Sequence, residues 1–208
     1  MVKLPESANC PTMYFIGVTT GQSSIMKLFP VWAKALGLTD ACIKGIDVAI
    51  HAPASDYREV VEFIKNDPLS LGALVTTHKI DLYNACKDLF EYLDPYAQMF
   101  GEMSSISKKD GKLCGHAKDP ISVGLALDSF LPEGYWKNHP EAEACVLGAG
   151  GSSLAVSAYL AADKHGDDVP ARIHVDNRSA GRLSEAVRIL QNSRVPMSFH
   201  LCPRPELN

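Results

Sequence analysis

Val146-Leu147-Gly148-Ala149-Gly150-Gly151-Ser152-Ser153 reads as the end of a buried strand that passes through a glycine turn straight into a helix. Glycines permit the sharp turn and the close approach of a diphosphate, whose charge would meet the unpaired N–H groups at the helix N-terminus. A strict G-x-G-x-x-G pattern would place a third glycine at Ser153, where serine is the small substitute. Gly148, Gly150, Gly151 and Ser152 are the candidate contacts. The alternative is a glycine-rich strand–helix turn that holds no ligand.

Working outward from this turn, Ala144–Leu147 is the strand and 152–162 the helix. A second strand at 172–175, a helix at 179–190 and a third strand at Met197–Leu201 follow. The second strand runs into Asp176-Asn177-Arg178, with Arg182 one helical turn on. In a dinucleotide fold this position meets the adenosine ribose. An acidic group there accepts from both ribose hydroxyls and favours NAD, whereas arginines bind a 2′-phosphate and favour NADP. Asp176 and Arg178 pull in opposite directions. Arg178 with Arg182 can form a cationic fork, so NADP is the expected cofactor and NAD the alternative. A charged loop that merely faces water remains the plain reading.

The preceding half repeats the α/β pattern. Apolar runs at 13–18, 43–50 and 71–75 read as strands, with helices at 24–36, 55–64 and 78–90 between and after them. This order implies a parallel sheet. Pro30 falls inside the first helix and predicts a late start or a kink. From Ser104 to His116 the pattern becomes a hairpin with Asp110-Gly111 at its turn. A helix at 119–130 follows, and the polar stretch 132–143 reads as a linker. The expected fold class is α/β, with an N-terminal substrate-binding and catalytic domain (1–131) built on a mostly parallel sheet. A partial Rossmann dinucleotide-binding domain (132–208) would follow it.

Composition bounds the function classes. The 208 residues are 46% hydrophobic and 21% charged, with a formal net charge of -4, which gives no reason to expect nucleic acid or an anionic membrane as partner. The six cysteines, at 10, 42, 86, 114, 145 and 202, offer neither a zinc knuckle nor a C-x-x-C motif, so no metal is expected and reduced thiols are the default. The N-terminus lacks the basic start and apolar run of a signal peptide, and no apolar run approaches the ~20 residues that span a bilayer. A cytoplasmic protein, monomeric or homodimeric, with a small-molecule substrate is the expectation.

A second chemical signal is Val75-Thr76-Thr77-His78-Lys79, a buried strand ending in two hydroxyls and a lysine, where α/β sheets place ligand groups. A lone lysine there is most often a solvated helix cap. Gly115-His116-Ala117-Lys118-Asp119, at the mouth of the next helix, raises its standing. His78 and His116 flank the two candidates and read as structural or rim histidines.

Taken together and in order, these segments resemble the shikimate dehydrogenases over nearly the whole chain. Gly17 and Ser23 match an opening glycine strand with a serine-bearing turn. Val75, Thr76 and Lys79 match the Val-Thr strand end that leads to the family's catalytic lysine. Gly101-Glu102-Met103-Ser104-Ser105 echoes a Gly-Ala-Val-Asn-Thr segment, and Asp119 matches the aspartate of an Asn-Thr-Asp. Gly148, Gly150, Gly151, Asn177 and Arg178 match Gly-x-Gly-Gly and Asn-Arg-Thr. The resemblance implies Lys79 and Asp119 as the catalytic pair. It also implies Ser23, Thr76, Ser104 and Lys118 on the substrate side, and Gly148, Gly150, Gly151, Ser152, Asn177, Arg178 and Arg182 on the cofactor.

The departures are specific. The family's second substrate serine falls on Ile25, three asparagines fall on Leu74, Ser104 and Ala117, and a threonine becomes Lys118. A site lacking the partner of a substrate hydroxyl discriminates strongly against that substrate. The resemblance therefore implies hydride transfer between NADP(H) and a cyclic polyol carboxylate or related small hydroxy acid other than standard shikimate. Lys79 would move the proton and Asp119 would orient the lysine. The alternative is a dinucleotide- or metabolite-sensing protein that kept the fold and lost the reaction. The family runs further, so the chain is expected to stop within the cofactor domain, with 203–208 as a loop leaving its third strand.

Overall fold

A computed structural model describes residues 2–202. The expected loop at 203–208 lies outside the described residues. The chain divides into two compact units, Met1–Ala117 and Lys118–Asn208.

The first unit is built on β1 (Thr12–Gly17), β2 (Cys42–Asp47), β3 (Ser70–Val75), β4 (Tyr92–Leu93), β5 (Ser105–Lys109) and β6 (Lys112–His116). Their order in the sheet is β2-β1-β3-β5-β6-β4. β1 pairs in parallel with β2 and β3, β5 runs antiparallel to both β3 and β6, and β4 is parallel to β6. The α/β class with a mostly parallel sheet is therefore as the sequence indicates. Tyr14 and Ile16 of β1 are fully buried, as are Val60, Val61 and Ile64 of helix α2 (Ala54–Asn66), which is how a central strand and an amphipathic helix share one core. Asp110 and Gly111 both have positive φ, the conformation that a two-residue turn needs to match strand twist.

Several local expectations change. Helix α1 (Ile25–Ala35) carries Pro30 in its interior, and its apolar residues Leu28 and Trp32 are exposed, as is Leu36 at its C-cap. The third helix ends early, as α3 (Lys79–Cys86), and tightens into a 3₁₀ turn at Lys87–Leu89. β4 and helix α4 (Pro95–Phe100) arise where the residues carry no strong period. Asp94 caps α4 by accepting from the Ala97 N–H at 2.7 Å, with Pro95 following it. The expectation of reduced thiols fails at Cys10 and Cys42, which form a disulfide with Cα atoms 6.6 Å apart. The cause is register: Thr12 pairs with Cys42, so the stretch entering β1 runs beside the start of β2.

The second unit begins with α5 (Asp119–Asp128), followed by α6 (Tyr135–Asn138), β7 (Ala144–Leu147), α7 (Gly151–Leu160), β8 (Ile173–Asn177), α8 (Ala180–Leu190) and β9 (Met197–Leu201). Its sheet is parallel throughout in the order β7-β8-β9. Ile173 and Val175 are buried on the face that α8 covers, and Cys145, His174, Asp176 and His200 lie on the opposite face.

The division falls before α5, not after it as in the 1–131 and 132–208 reading, because α5 packs on α7. Gly124 makes that approach possible: a Cβ there would lie 2.1 Å from the Tyr159 ring. The stretch expected as a linker holds α6, whose entry is tied down where Asp168 accepts from the N–H groups of Gly134 and Lys137 at 2.8 and 3.0 Å.

Candidate functional site

In the first unit, the strand ends gather four of the expected residues at one end of the sheet. Thr76 follows β3 and donates its backbone N–H to the Ile16 carbonyl of β1 at 3.2 Å. Lys79 opens α3 three residues later and is half-buried. Ser104 precedes antiparallel β5, so it reaches the same end of β3 from the opposite direction. The Val75 N–H donates to the Ser104 carbonyl at 2.9 Å, and the Met103 N–H to the Lys79 carbonyl at 3.1 Å. Ser104 is buried and Thr76 exposed. Ser23 follows the 3₁₀ turn Thr20–Gln22 at the end of β1 and is half-buried. Fold topology thus brings Ser23, Thr76, Lys79 and Ser104 to the carboxyl ends of β1 and β3.

Two neighbours of these groups, Asp47 and Tyr57, escaped the sequence reading. Asp47, the last residue of β2, accepts from the Thr20 hydroxyl and N–H at 2.5 and 2.8 Å, which holds its carboxyl below the usual carboxylate range. His78, next to Lys79, is 1% exposed, and its Nδ1 lies 3.1 Å from the Tyr57 hydroxyl. Burial pushes this imidazole below its ordinary value, against the opposing pull of Asp81. Asp81 in turn meets His51 Nδ1 at 3.0 Å. His78 is the structural histidine expected. Tyr57 gave no separate signal, because one tyrosine in an amphipathic helix looks like any core aromatic.

In the second unit, Asp119 is the first residue of α5, where a helix N-terminus favours a carboxylate, and Lys118 stands just before it. Both are half-buried. At the glycine turn, Gly148 has φ +113, closed to L side chains, and its N–H donates to the Asp176 carbonyl at 2.7 Å. Gly150 occupies the N-cap of α7, no side chain caps that helix, and its first turn holds no acidic residue. A ten-residue helix thus presents uncapped N–H groups at an open glycine corner, and Ser152 in its first turn is exposed. These residues fit a diphosphate.

At the end of β8, Asp176 and the arginines are held differently. The Asp176 carboxylate is already engaged, accepting from His200 Nδ1 at 2.8 Å and from the Cys145 thiol at 3.6 Å. β8 then stops at Asn177, whose side chain accepts the Arg178 N–H at 2.9 Å. Ser179 caps α8 by accepting from the Arg182 N–H at 3.3 Å. Arg178 and Arg182 are both exposed at this corner. The register Asp176↔His200 between two strands already legible in the sequence was the signal that could have paired them.

No family model matches the chain. A shikimate dehydrogenase (NADP(+)) of Bacillus cereus (strain AH820) is 32% identical over 129 residues, which cover 62% of this chain and 42% of the relative. A protein of the same name from Bartonella henselae is 25% identical over 151 residues, covering 73% and 47%. The chain is similar to the shikimate dehydrogenases. It spans less than half the length of these curated relatives. Among solved structures, 5-ketofructose reductase of Gluconobacter sp. strain CHM43 superposes with a TM-score of 0.70 at 19% identity, over 93% of this chain and 63% of that one. Shikimate dehydrogenase of Mycobacterium tuberculosis follows at 0.68 and 22%, over 91% and 64%. At this level of identity the superpositions establish the α/β fold with its Rossmann-like unit.

Proposed function

We propose that the chain carries the substrate unit and dinucleotide-binding corner of an NADP(H)-dependent dehydrogenase of the shikimate type, acting on a small hydroxy acid other than standard shikimate. The observation that carries this reading is the open, uncapped N-terminus of α7 behind Gly148, with an acidic residue at the ribose corner that His200 has already engaged. The sequence likeness to enzymes named for NADP(+) supports the same cofactor.

In this reading Gly148, Gly150, Gly151 and Ser152 hold the diphosphate, and Asn177, Arg178 and Arg182 receive the ribose and its 2′-phosphate. The bound nicotinamide supplies or accepts the hydride. Lys79 moves the alcohol proton and stabilises developing alkoxide charge, a contribution of about 10²–10⁴-fold in rate. Asp119 orients the lysine and hydrogen-bonds a neighbouring substrate hydroxyl. Ser23, Thr76 and Ser104 contact substrate hydroxyls, and Lys118 meets a substrate carboxylate. The rewritten positions Ile25, Leu74 and Ala117 set the specificity away from shikimate.

The test is a screen of the protein against shikimate, quinate and related hydroxy acids with NADP⁺ and NAD⁺, followed by absorbance of the reduced cofactor. Turnover of a hydroxy acid with NADP⁺ ahead of NAD⁺, and with shikimate a poor substrate, is expected. Dinucleotide binding without turnover of any member would favour the sensing alternative.

A further inference from the structure

At the end of α7 remote from the glycine turn, the second unit forms a half-open cavity of about 430 Å³, within the size range of small-ligand sites. It lies where α5 and α7 finish, beside α6 and the 3₁₀ turn Asp163–His165. Tyr159 and Trp136 give it aromatic walls, and Asp128, Glu133 and Asp168 give it three carboxylates against one cation, Lys164. Burial holds the His165 imidazole toward its neutral form, so it adds no charge to offset them. The last turn of α5 carries no basic residue, which leaves the partial negative charge of that helix end facing the same space. Arg194 caps the end of α7, donating to the Ala161 and Ala162 carbonyls at 3.1 and 2.9 Å, and is not among the lining groups.

The cavity already shows how it treats a cation. The Lys164 ammonium lies 4.2 Å from the centroid of the Tyr159 ring, while the Tyr159 hydroxyl donates to Asp128 at 2.5 Å. An aromatic face polarised by a carboxylate is a good surface for an ammonium group. Among the described residues, His165 Nε2 has no hydrogen-bond partner and is buried, a ring nitrogen that a polar group entering here could pair with.

We infer that this cavity is a second binding site, taking a small organic ammonium ion with an aromatic or apolar body. The ammonium would sit over the Tyr159 ring, where the Lys164 head now lies, with Asp128 and Glu133 in the same lining, and the body would lie on Trp136. An anion would meet three carboxylates. A neutral ligand of the same shape would gain only the apolar contact. The inference does not depend on the dinucleotide reading, because it uses none of the residues of the glycine turn.

The probe is benzylammonium, with benzoate and benzyl alcohol as controls of the same ring and different charge. Trp136 is the reporter in a Trp32→Phe background, since the chain has two tryptophans and Trp32 is half-exposed on α1. Calorimetry on the unmodified chain reads the same site without any substitution. Benzylammonium should quench Trp136 saturably and bind more tightly than either control. Asp128→Asn and Glu133→Gln should each weaken it about fivefold, as loss of one nearby charge in a solvated site implies. Lys164→Met should strengthen it by removing the resident cation. Equal binding of benzoate, no saturable binding by either method, or unchanged affinity in both carboxylate variants would overturn the proposal.

Discussion

At the scale of the residue, the proposed cofactor preference turns on how one charge is occupied. Asp176 is the penultimate residue of β8, where it could read a ribose, but His200 and Cys145 hold its carboxylate, and the exposed arginines stand beyond the strand end. Arg178→Ala should therefore erase most of a preference for NADP over NAD, since charge-assisted arginine–phosphate bonds are among the stronger polar contacts. His200→Ala frees Asp176 and should shift preference toward NAD; unchanged preference in both variants would disconnect this corner from the ribose. Lys79→Ala should remove nearly all turnover and spare dinucleotide affinity, and Asp119→Asn should slow turnover sharply. If the two act as a unit, the double variant is barely slower than Lys79→Ala alone. Multiplied losses would separate their roles.

His78 makes a prediction about pH. Burial depresses its folded pKa below the ordinary value near 6.5, so the unfolded chain binds the proton more readily. Its contribution to stability is complete above pH 6.5 and falls as pH drops below that value toward the folded pKa. Urea unfolding between pH 7 and 5 should show this loss, and His78→Gln should flatten it. An unchanged slope in the variant would assign the acid sensitivity elsewhere.

At the scale of the element, α5 and the N-terminal arm are the parts whose attachment is most exposed to test. Gly124→Ala places a methyl group against the Tyr159 ring, and overpacking of that kind costs about 1–3 kcal/mol. Denaturant unfolding should show that loss, and an unaffected midpoint would mean that α5 does not pack on α7 as described. Reduction of Cys10–Cys42 reopens a loop with 32 positions of separation, for which chain entropy gives about 3–4 kcal/mol. Cys42→Ser should lower the melting temperature and abolish its response to reductant. The strands were legible because they are apolar runs closed by turn residues; Ala144–Leu147 and Met197–Leu201 fall where the sequence places them. α4 was not, since its six residues are too few to show a period and its capping by Asp94 depends on the neighbouring hairpin. α6 in the expected linker depends on Asp168, some thirty residues away, and a local reading has no access to that bond.

At the scale of the whole molecule, two compact α/β units each carry one half of the proposed chemistry. The glycine corner and the Lys79 strand end were both visible as residue patterns, because each packs its polar groups into a few consecutive positions. The diversion of Asp176 was not, because it is a cross-strand contact. Membrane insertion by a helix has no candidate among the described residues, none of whose helices is long and apolar enough to cross a bilayer. Calorimetric titration of NADP⁺ and NAD⁺ into the chain at one fixed, low salt concentration tests most directly the proposal that the second unit reads a 2′-phosphate. Saturable binding of both is expected, with NADP⁺ at least about tenfold tighter, the equivalent of one charge-assisted contact of roughly 1.4 kcal/mol. Tighter binding of NAD⁺, or no binding of either, would contradict it.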